Sequence, residues 1–289
     1  MNSRISQYPG DLSILDENDV RRKKNNPLTI LQNFLRVLLK KGVLTWLVLA
    51  VIWSIAALFY PPTFFPGIVQ TLVGSQEIIL DGTLFQFVLI SAARVYTGWL
   101  FGLVLGIPVG LFVGRSDIVR ELVEPFINFF RFVPAIAFLT LFIMWFGVGE
   151  ESKVILIMYS TFFIVVINTA AGVISIDKNK IQAARSLGAN ERQIFFYVII
   201  PAIIPQIFTG VRLGMGSAFT SIVAAEMLAA KEGIGYLIFT SRLYFHTDWI
   251  FIGLVTLGFM GFFSDKFLRF IGTVFLKKYG VKTEGNFGK

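Results

Sequence analysis

The chain has 289 residues, of which 55% are hydrophobic and only 15% are charged. A soluble domain carries about 25% charged residues, so this composition argues against a water-soluble fold. The apolar runs are long and continuous, which argues against a β-barrel, whose strands alternate polar and apolar residues. Cysteine is absent, so disulfides, thiol catalysis and Cys-based metal sites are excluded, and the single histidine leaves little for a histidine metal site. The net charge of +8 is typical of basic residues that flank membrane spans.

Six apolar stretches are each long enough to cross a bilayer, which takes about 20 residues in a helix. They cover residues 43–60, 85–114, 123–146, 154–174, 203–229 and 249–276. The sequence therefore predicts an all-α polytopic membrane protein with six transmembrane helices.

Lysine and arginine residues are unevenly divided between the predicted loops. With the N-terminus inside, 20 of them fall on the cytoplasmic side and three fall in outer loops. Because cytoplasmic loops carry the excess of basic residues, both termini are predicted to be cytoplasmic. We expect a cytoplasmic tail over 1–41, a transmembrane domain over 42–276 and a second cytoplasmic tail over 277–289. An amphipathic pattern over 28–41 favours a helix lying on the inner membrane surface, and an ordinary basic flank is the alternative.

The predicted cytoplasmic connection over 175–201 has the pattern of a helix, a break and a second helix. Asp177 can cap the first helix by accepting backbone N–H bonds. Gly188 can end it, because glycine adopts the left-handed conformation without penalty. Asn190 and Gln193 then have the spacing of a capping box.

Two prolines, Pro201 and Pro205, are expected to mark the start of the fifth span. Small apolar residues, Ala183 and Ala184, are expected on the exposed face of the first short helix. Such a rigid, capped helix can transmit force to a soluble partner. An ordinary structured loop is the alternative.

The same connection resembles the EAA loop of importer permeases. That motif places Glu-Ala-Ala, a glycine and a distal Ile-x-Leu-Pro at the spacing found here between Gln182 and Pro201. Gln182 replaces the usual glutamate and so lacks a charge that can pair with a basic residue of the ATPase. Further stretches resemble the nitrate/sulfonate/taurine/bicarbonate branch of these permeases: Arg131–Pro134, Trp145–Lys153, Asn168–Gly172, Ala224–Met227 and Gly233–Leu237.

This resemblance implies the permease subunit of an ABC importer with the type I fold, in a bacterial inner membrane. It implies a second permease copy in a homodimer, two cytoplasmic ATPase subunits, an external solute-binding protein and no nucleic acid. ATP and magnesium would bind to the ATPase, since the chain has no phosphate-binding loop of its own. The residues implied to couple the chain to the ATPase are Gln182, Ala183, Ala184, Leu187, Gly188 and Pro201.

The resemblance also implies that the solute is a small anion of the nitrate, bicarbonate, taurine or sulfonate type. Charged residues inside spans are candidates for its pathway, because such charges usually face an interior or a wet cavity. Arg212 either attracts an anion in transit or is held by a carboxylate or carbonyls of another segment. Glu226 either gates the outer mouth or, as we expect, pairs with Arg242 or Lys231.

Other polar residues complete the predicted pathway. Arg131 lies beside Pro134, where a kink in the third span could act as a gate. Serine and threonine hydroxyls on the fifth span can donate to an oxyanion. The candidate pathway residues are therefore Arg131, Arg212, Ser217, Thr220, Ser221 and Glu226.

Two further patterns leave alternatives open. The fifth span carries a row of small residues, Gly210, Gly214 and Ala218, that let another helix approach closely. This row could lie along the pathway, at a seam between permease copies, or in an ordinary contact within one subunit. His246 and Asp248 are expected to be loop structure, with no metal site and no catalytic role.

Two other functions are alternatives to the importer. A secondary transporter driven by an ion gradient typically shows broken helices at matching positions in two halves, and no such repeat is evident. A membrane enzyme would require a catalytic constellation, and none is found.

Overall fold

The computed structural model describes residues 43–280 of the chain. The chain divides into two units, one up to Pro61 and one from Pro62 onward. In the first unit, helix α1 covers Val43–Phe59 and matches the first predicted span. Its 17 residues reach about 25 Å, somewhat less than the 30 Å hydrocarbon core of a bilayer. The amphipathic helix predicted over 28–41 and most of the tail predicted over 277–289 lie outside the described residues.

The second unit is helical throughout its described part, which confirms the predicted all-α class. Its helices are α2 Ile68–Gly74, α3 Gln76–Leu80, α4 Thr83–Arg115, α5 Asp117–Phe130, α6 Ala135–Phe146, α7 Glu150–Ile174, α8 Lys178–Ser186, α9 Glu191–Ala229, α10 Ile234–Leu243 and α11 Thr247–Phe275. A short 3₁₀ turn, Lys277–Tyr279, follows α11.

Within residues 43–280, four helices are long and apolar enough to cross a membrane: α4, α7, α9 and α11. The third predicted span is different, because α5 and α6 meet at 94° instead of forming one kinked helix. Pro134 has extended backbone and precedes α6 directly. A proline disfavours helical backbone in the residue before it, so the chain leaves the helix ahead of Pro134. Counting the bent pair as one span gives five, and α1 is the shorter sixth helix.

The fifth span begins earlier than predicted. Its helix starts at Glu191 and not at Ile203, so the prolines lie inside it and do not mark its start. A wider π-helical turn, Ile194–Ile199, ends two residues before Pro201. A proline ring crowds the preceding turn of a regular helix, and a wider turn accommodates it. The predicted connection over 175–201 therefore contains α8 and the first turns of α9.

A row of glycines brings α4 against α7, which runs parallel to it. The row has four-residue spacing, and a Cβ at Gly102 would lie 2.7 Å from the Cβ of Thr161. Without side chains of its own on this face, the α4 backbone rests directly on the side chains of α7. The members of this glycine row are Gly98, Gly102, Gly106, Gly110 and Gly114.

Helix α9 packs on another face of α7 and runs antiparallel to it. A Cβ at Gly210 would lie 2.8 Å from Asn168, and one at Gly214 would lie 3.0 Å from Thr161. The small residues of α9 therefore serve packing within the subunit, which was one of the three alternatives. We call the end of the bundle that carries α8 the α8 end, and the opposite end the α10 end.

Candidate functional site

Helix α8 has the caps expected from its sequence. Asp177 Oδ1 accepts a hydrogen bond from Asn179 N at 2.9 Å. Gly188 has φ +84°, the left-handed conformation that glycine adopts without strain. Asn190 and Gln193 exchange two side chain to backbone hydrogen bonds, each of 2.9 Å, at the start of α9. These local interactions confirm the predicted helix, break and helix.

The two faces of α8 differ in burial. Ile181 and Ala184 pack against a buried apolar cluster at the start of α9, so Ala184 is not on the outer face as expected. Gln182 and Ala183 are exposed, and Leu187 is 88% exposed. Helix α8 therefore presents Gln182, Ala183 and Leu187 to solvent while its other face is packed.

One carboxylate joins α8 to the two helices beside it. Glu191 Oε1 accepts from Arg185 at 2.9 Å, and its Oε2 accepts from Arg115 at 3.1 Å. Arg115 ends α4, and its guanidinium also lies 5.3 Å from the ring centre of Phe195. We call Arg115, Arg185 and Glu191 the surface triad. It connects α4, α8 and α9 at the α8 end.

A cavity of about 460 Å³ lies where the break between α5 and α6 faces α7 and α9. Four of the six candidate pathway residues line it together: Arg131, Ser217, Thr220 and Ser221. The rest of its wall is largely aromatic and aliphatic, with Phe130, Phe163 and Ile164 among its members. Tyr159 of α7 donates to the carbonyl of Phe130 at 2.9 Å and so fixes the end of α5 at the cavity.

Arg212 lies elsewhere, in an ion pair between α9 and α11. Its Nη2 lies 2.8 Å from Asp265 Oδ1, and Asp265 Oδ2 accepts from Arg269 at 2.7 Å. This matches the second alternative for Arg212, in which a carboxylate of another segment holds it. Asp265 had not been singled out, because nothing in its local sequence indicates a partner 53 positions away.

Glu226 is also outside the cavity, and its predicted partners were wrong. It binds Arg94 of α4 at 2.7 Å, and not Arg242 or Lys231. Ser91 Oγ donates to it at 2.8 Å, and the backbone N–H of Gly235 donates at 2.8 Å. Glu226 is 1% exposed and Arg94 is 6% exposed.

The same guanidinium holds a second carboxylate, that of Glu150 at the start of α7, at 2.7 Å. It also donates to the carbonyl of Glu232 at 2.7 Å. We call Arg94, Glu150 and Glu226 the buried triad. Gly233 has φ +116°, and a Cβ there would collide with the Glu226 carboxylate, so the turn before α10 requires glycine.

His246 stacks on Trp249 with ring centres 4.6 Å apart, and its Nδ1 is 4.0 Å from Asp248. In the part of the chain that the structure describes, no group of three His, Cys, Asp or Glu residues could hold a metal ion.

The sequence and the fold of this chain match those of known transport proteins. Residues 102–279 match the family described as binding-protein-dependent transport system inner membrane component. A chain of the MetNI methionine ABC transporter, in an inward-facing conformation, superposes with a TM-score of 0.54 at 19% identity. That match covers 64% of this chain and 96% of the other, and it supports the fold.

Sequence relatives are considerably closer. A probable ABC transporter permease protein of Brucella melitensis is 42% identical over 204 residues, 71% of this chain and 83% of the relative. The taurine transport system permease protein TauC of Escherichia coli is 35% identical over 240 residues, 81% of this chain and 87% of the relative. The chain therefore belongs to the inner-membrane permease components of ABC importers, in their nitrate, sulfonate and taurine branch, which have no ATPase site of their own.

Proposed function

We propose that this multi-pass inner-membrane permease is driven by ATP hydrolysis on a separate ATPase that docks on α8. The observation that carries the proposal is the build of α8 itself. Its inner face is packed on the start of α9, both of its ends are capped, and Leu187 projects into solvent. A helix held in this way moves as a rigid unit when a partner pushes on it. Gln182, Ala183, Gly188 and Leu187 would form the docking surface, with Ala184 and Pro201 supporting it from inside.

The proposed solute is a small molecule with an anionic group, such as the sulfonate of taurine, the solute in the name of the permease TauC. One guanidinium, that of Arg131, lines the large cavity beside three hydroxyl-bearing residues. In a largely apolar wall, a cation favours an anionic solute over a neutral or cationic one. This supports Arg131, Ser217, Thr220 and Ser221 as pathway residues, while Arg212 and Glu226 are proposed to be structural.

The proposed assembly contains two copies of this chain, two ATPase subunits that bind ATP and magnesium, and an external solute-binding protein. The excess of basic residues in the predicted inner loops supports a cytoplasmic position for α8 and for both termini. The α10 end then faces the solute-binding protein.

The test is to express the chain with the ATPase and binding protein encoded beside it, and to purify the complex in lipid. ATP hydrolysis is then measured while the binding protein is offered nitrate, bicarbonate, taurine or an alkyl sulfonate. We expect one loaded ligand to stimulate hydrolysis. Failure of the chain to form a complex with any ATPase would refute the proposal and favour an ion-gradient transporter.

A substitution in α8 tests the mechanical link. Gly188→Leu forces a side chain into the left-handed conformation and unseats the end of the helix, at a cost of about 1–2 kcal/mol. We expect ATP hydrolysis to continue while solute import falls. Gly280→Leu is the matched control, because it has the same change at φ +79° but lies outside α8. Normal import per ATP in the Gly188 variant would mean that α8 is not the link.

A further inference from the structure

Two cavities meet at the break between α5 and α6, and Arg131 lines both of them. The larger is the 460 Å³ cavity described above, and the smaller measures about 190 Å³. Ile167 of α7 also lines both. The smaller cavity reaches Val113 and Ile174, which lie in the last turns of α4 and α7, so it is nearer the α8 end. The cavities therefore follow one another along α7, with Arg131 at their junction.

The guanidinium of Arg131 differs from those of Arg94 and Arg212 in having no counter-ion. Arg94 binds two carboxylates and Arg212 binds one, so both charges are compensated. Over residues 43–280, no carboxylate pairs with Arg131, whose guanidinium carbon lies 4.7 Å from the ring centre of Phe132. Stacking on a ring uses the face of the guanidinium and leaves its in-plane N–H groups able to bind an anion.

The hydroxyls of the larger cavity are mostly occupied. Ser217 donates to the carbonyl of Ser160, Thr220 donates to that of Gly216, and Tyr159 donates to that of Phe130. Ser221 is different, because among the described residues its hydroxyl has no hydrogen-bond partner although it is largely buried. Arg131 and Ser221 are thus two uncommitted donors on one cavity wall.

We propose that Arg131 binds the negative group of the transported solute and passes it from the larger cavity to the smaller one. Ser221 donates to the same group while the solute occupies the larger cavity. The ligand class is an oxyanion, which accepts charge-assisted hydrogen bonds from a guanidinium. The aromatic wall at Phe130 and Phe163 leaves room for a compact apolar substituent on it. This inference rests on the proposed importer function and adds a binding site and a route to it.

The charges of the smaller cavity favour onward movement. Arg120 lines it but is paired with Asp117, and Glu124 lines it as an unpaired carboxylate among the described residues. An anion that leaves Arg131 therefore meets a like charge, which is repulsive and shortens its stay. The direction of transport would be set by ATP hydrolysis on the partner and not by this order of charges.

The experiment uses the complete complex in proteoliposomes, with radiolabelled taurine, methanesulfonate and nitrate as test solutes that each carry an anionic group. Import is compared between the wild type, Arg131→Gln, Arg131→Lys and Ser221→Ala. Arg131→Gln loses a charge-assisted contact with the solute. We therefore expect its half-saturating solute concentration to rise about tenfold or more. Arg131→Lys retains the charge and should recover a large part of that loss. Ser221→Ala should raise the half-saturating solute concentration about two- to fivefold.

Lys266→Gln is the control, because it removes an exposed cation of α11 that lines neither cavity. We expect this control to import as the wild type does. Wild-type import by Arg131→Gln would overturn the inference while leaving the importer function intact. Equal losses in Arg131→Lys and Arg131→Gln would overturn it too, because they would show that shape and not charge matters. A wild-type complex that imports none of the three solutes with ATP would refute the proposed solute class and, with it, the role of Arg131.

Discussion

The buried triad and the surface triad are ion clusters of similar composition at opposite ends of one bundle. In the first, Arg94 is 6% exposed and Glu226 is 1% exposed, and backbone groups complete their hydrogen bonds. In the second, the side chains of Arg115 and Glu191 are 40% and 58% exposed. A buried charge must keep every partner, whereas an exposed pair can open to water at a cost of about 1 kcal/mol or less.

This difference separates fixed parts of the molecule from movable ones. Within the buried triad, Arg94 and Glu226 join α4, α9 and the turn before α10 through groups that cannot be solvated if they separate. The surface triad joins α4, α8 and α9 through groups that water can replace. Rearrangement is therefore easier at the α8 end, where the proposed ATPase docks, than at the α10 end.

The largest effect is expected from breaking the buried triad. Glu226→Gln removes the buried carboxylate, so Arg94 keeps only Glu150 as a counter-ion, and Ser91 and the backbone N–H of Gly235 lose a charged acceptor, at a cost of about 2–3 kcal/mol. We expect a large drop in the unfolding free energy, measured by denaturant or heat in detergent micelles. Glu150→Gln is the matched control, because it removes the other carboxylate of the same guanidinium from a site that is 58% exposed. Its expected loss is about 1 kcal/mol, and equal losses in the two variants would contradict the role assigned to burial.

A smaller effect is expected at Asp265, whose burial is intermediate. Its side chain is 37% exposed and pairs with both Arg212 and Arg269. Asp265→Asn should lower the unfolding free energy by about 1–2 kcal/mol, between the values for the two triads. Arg212→Gln should have a similar effect, and the double variant should lose little more than either single one, because both remove the same pair.

The Arg212 variant also decides between its two sequence-based interpretations. If Arg212 is structural, Arg212→Gln imports anions at the wild-type rate once protein levels are matched. Reduced import by a variant that is as stable as the wild type would restore Arg212 to the pathway.

The smallest effect on stability is expected at the surface triad, where the effect on function should dominate. Glu191→Gln should change the unfolding free energy by no more than about 1 kcal/mol. We expect the amount of solute imported per ATP hydrolysed to fall two- to fivefold, because a free-energy change of up to about 1 kcal/mol corresponds to a factor of that size. Glu121→Gln is the control, since this exposed carboxylate of α5 pairs with no described residue and lines neither cavity. The same decrease in the control would show that general surface charge, and not the triad, is responsible.

Features that depend on neighbouring residues were predicted from the sequence, because local chemistry determines them. The caps at Asp177, Asn190 and Gln193 and the glycine turn at Gly188 are of this kind. The break at Pro134 was expected only as a kink, since the angle between two helices depends on what each packs against.

Features that depend on distant residues were not predicted. Glu226 was given nearby partners, but it binds Arg94, which lies 132 positions earlier, and no local pattern identifies such a pair. Likewise, Arg131, Ser217 and Ser221 were separate candidates until the packing of α5, α7 and α9 placed them around one cavity. The glycine row of α4 was visible as a spacing of four and could have predicted a close helix contact.

That glycine row sets a rule for how the chain can change in length. Each residue advances an α-helix by about 100°, so inserting or deleting one residue between Gly98 and Gly114 would turn the later glycines away from α7. Bulky side chains would take their place against Thr169 and Val173. Functional relatives that preserve this contact should therefore keep a constant number of residues across it, and gain or lose residues only beyond its two ends.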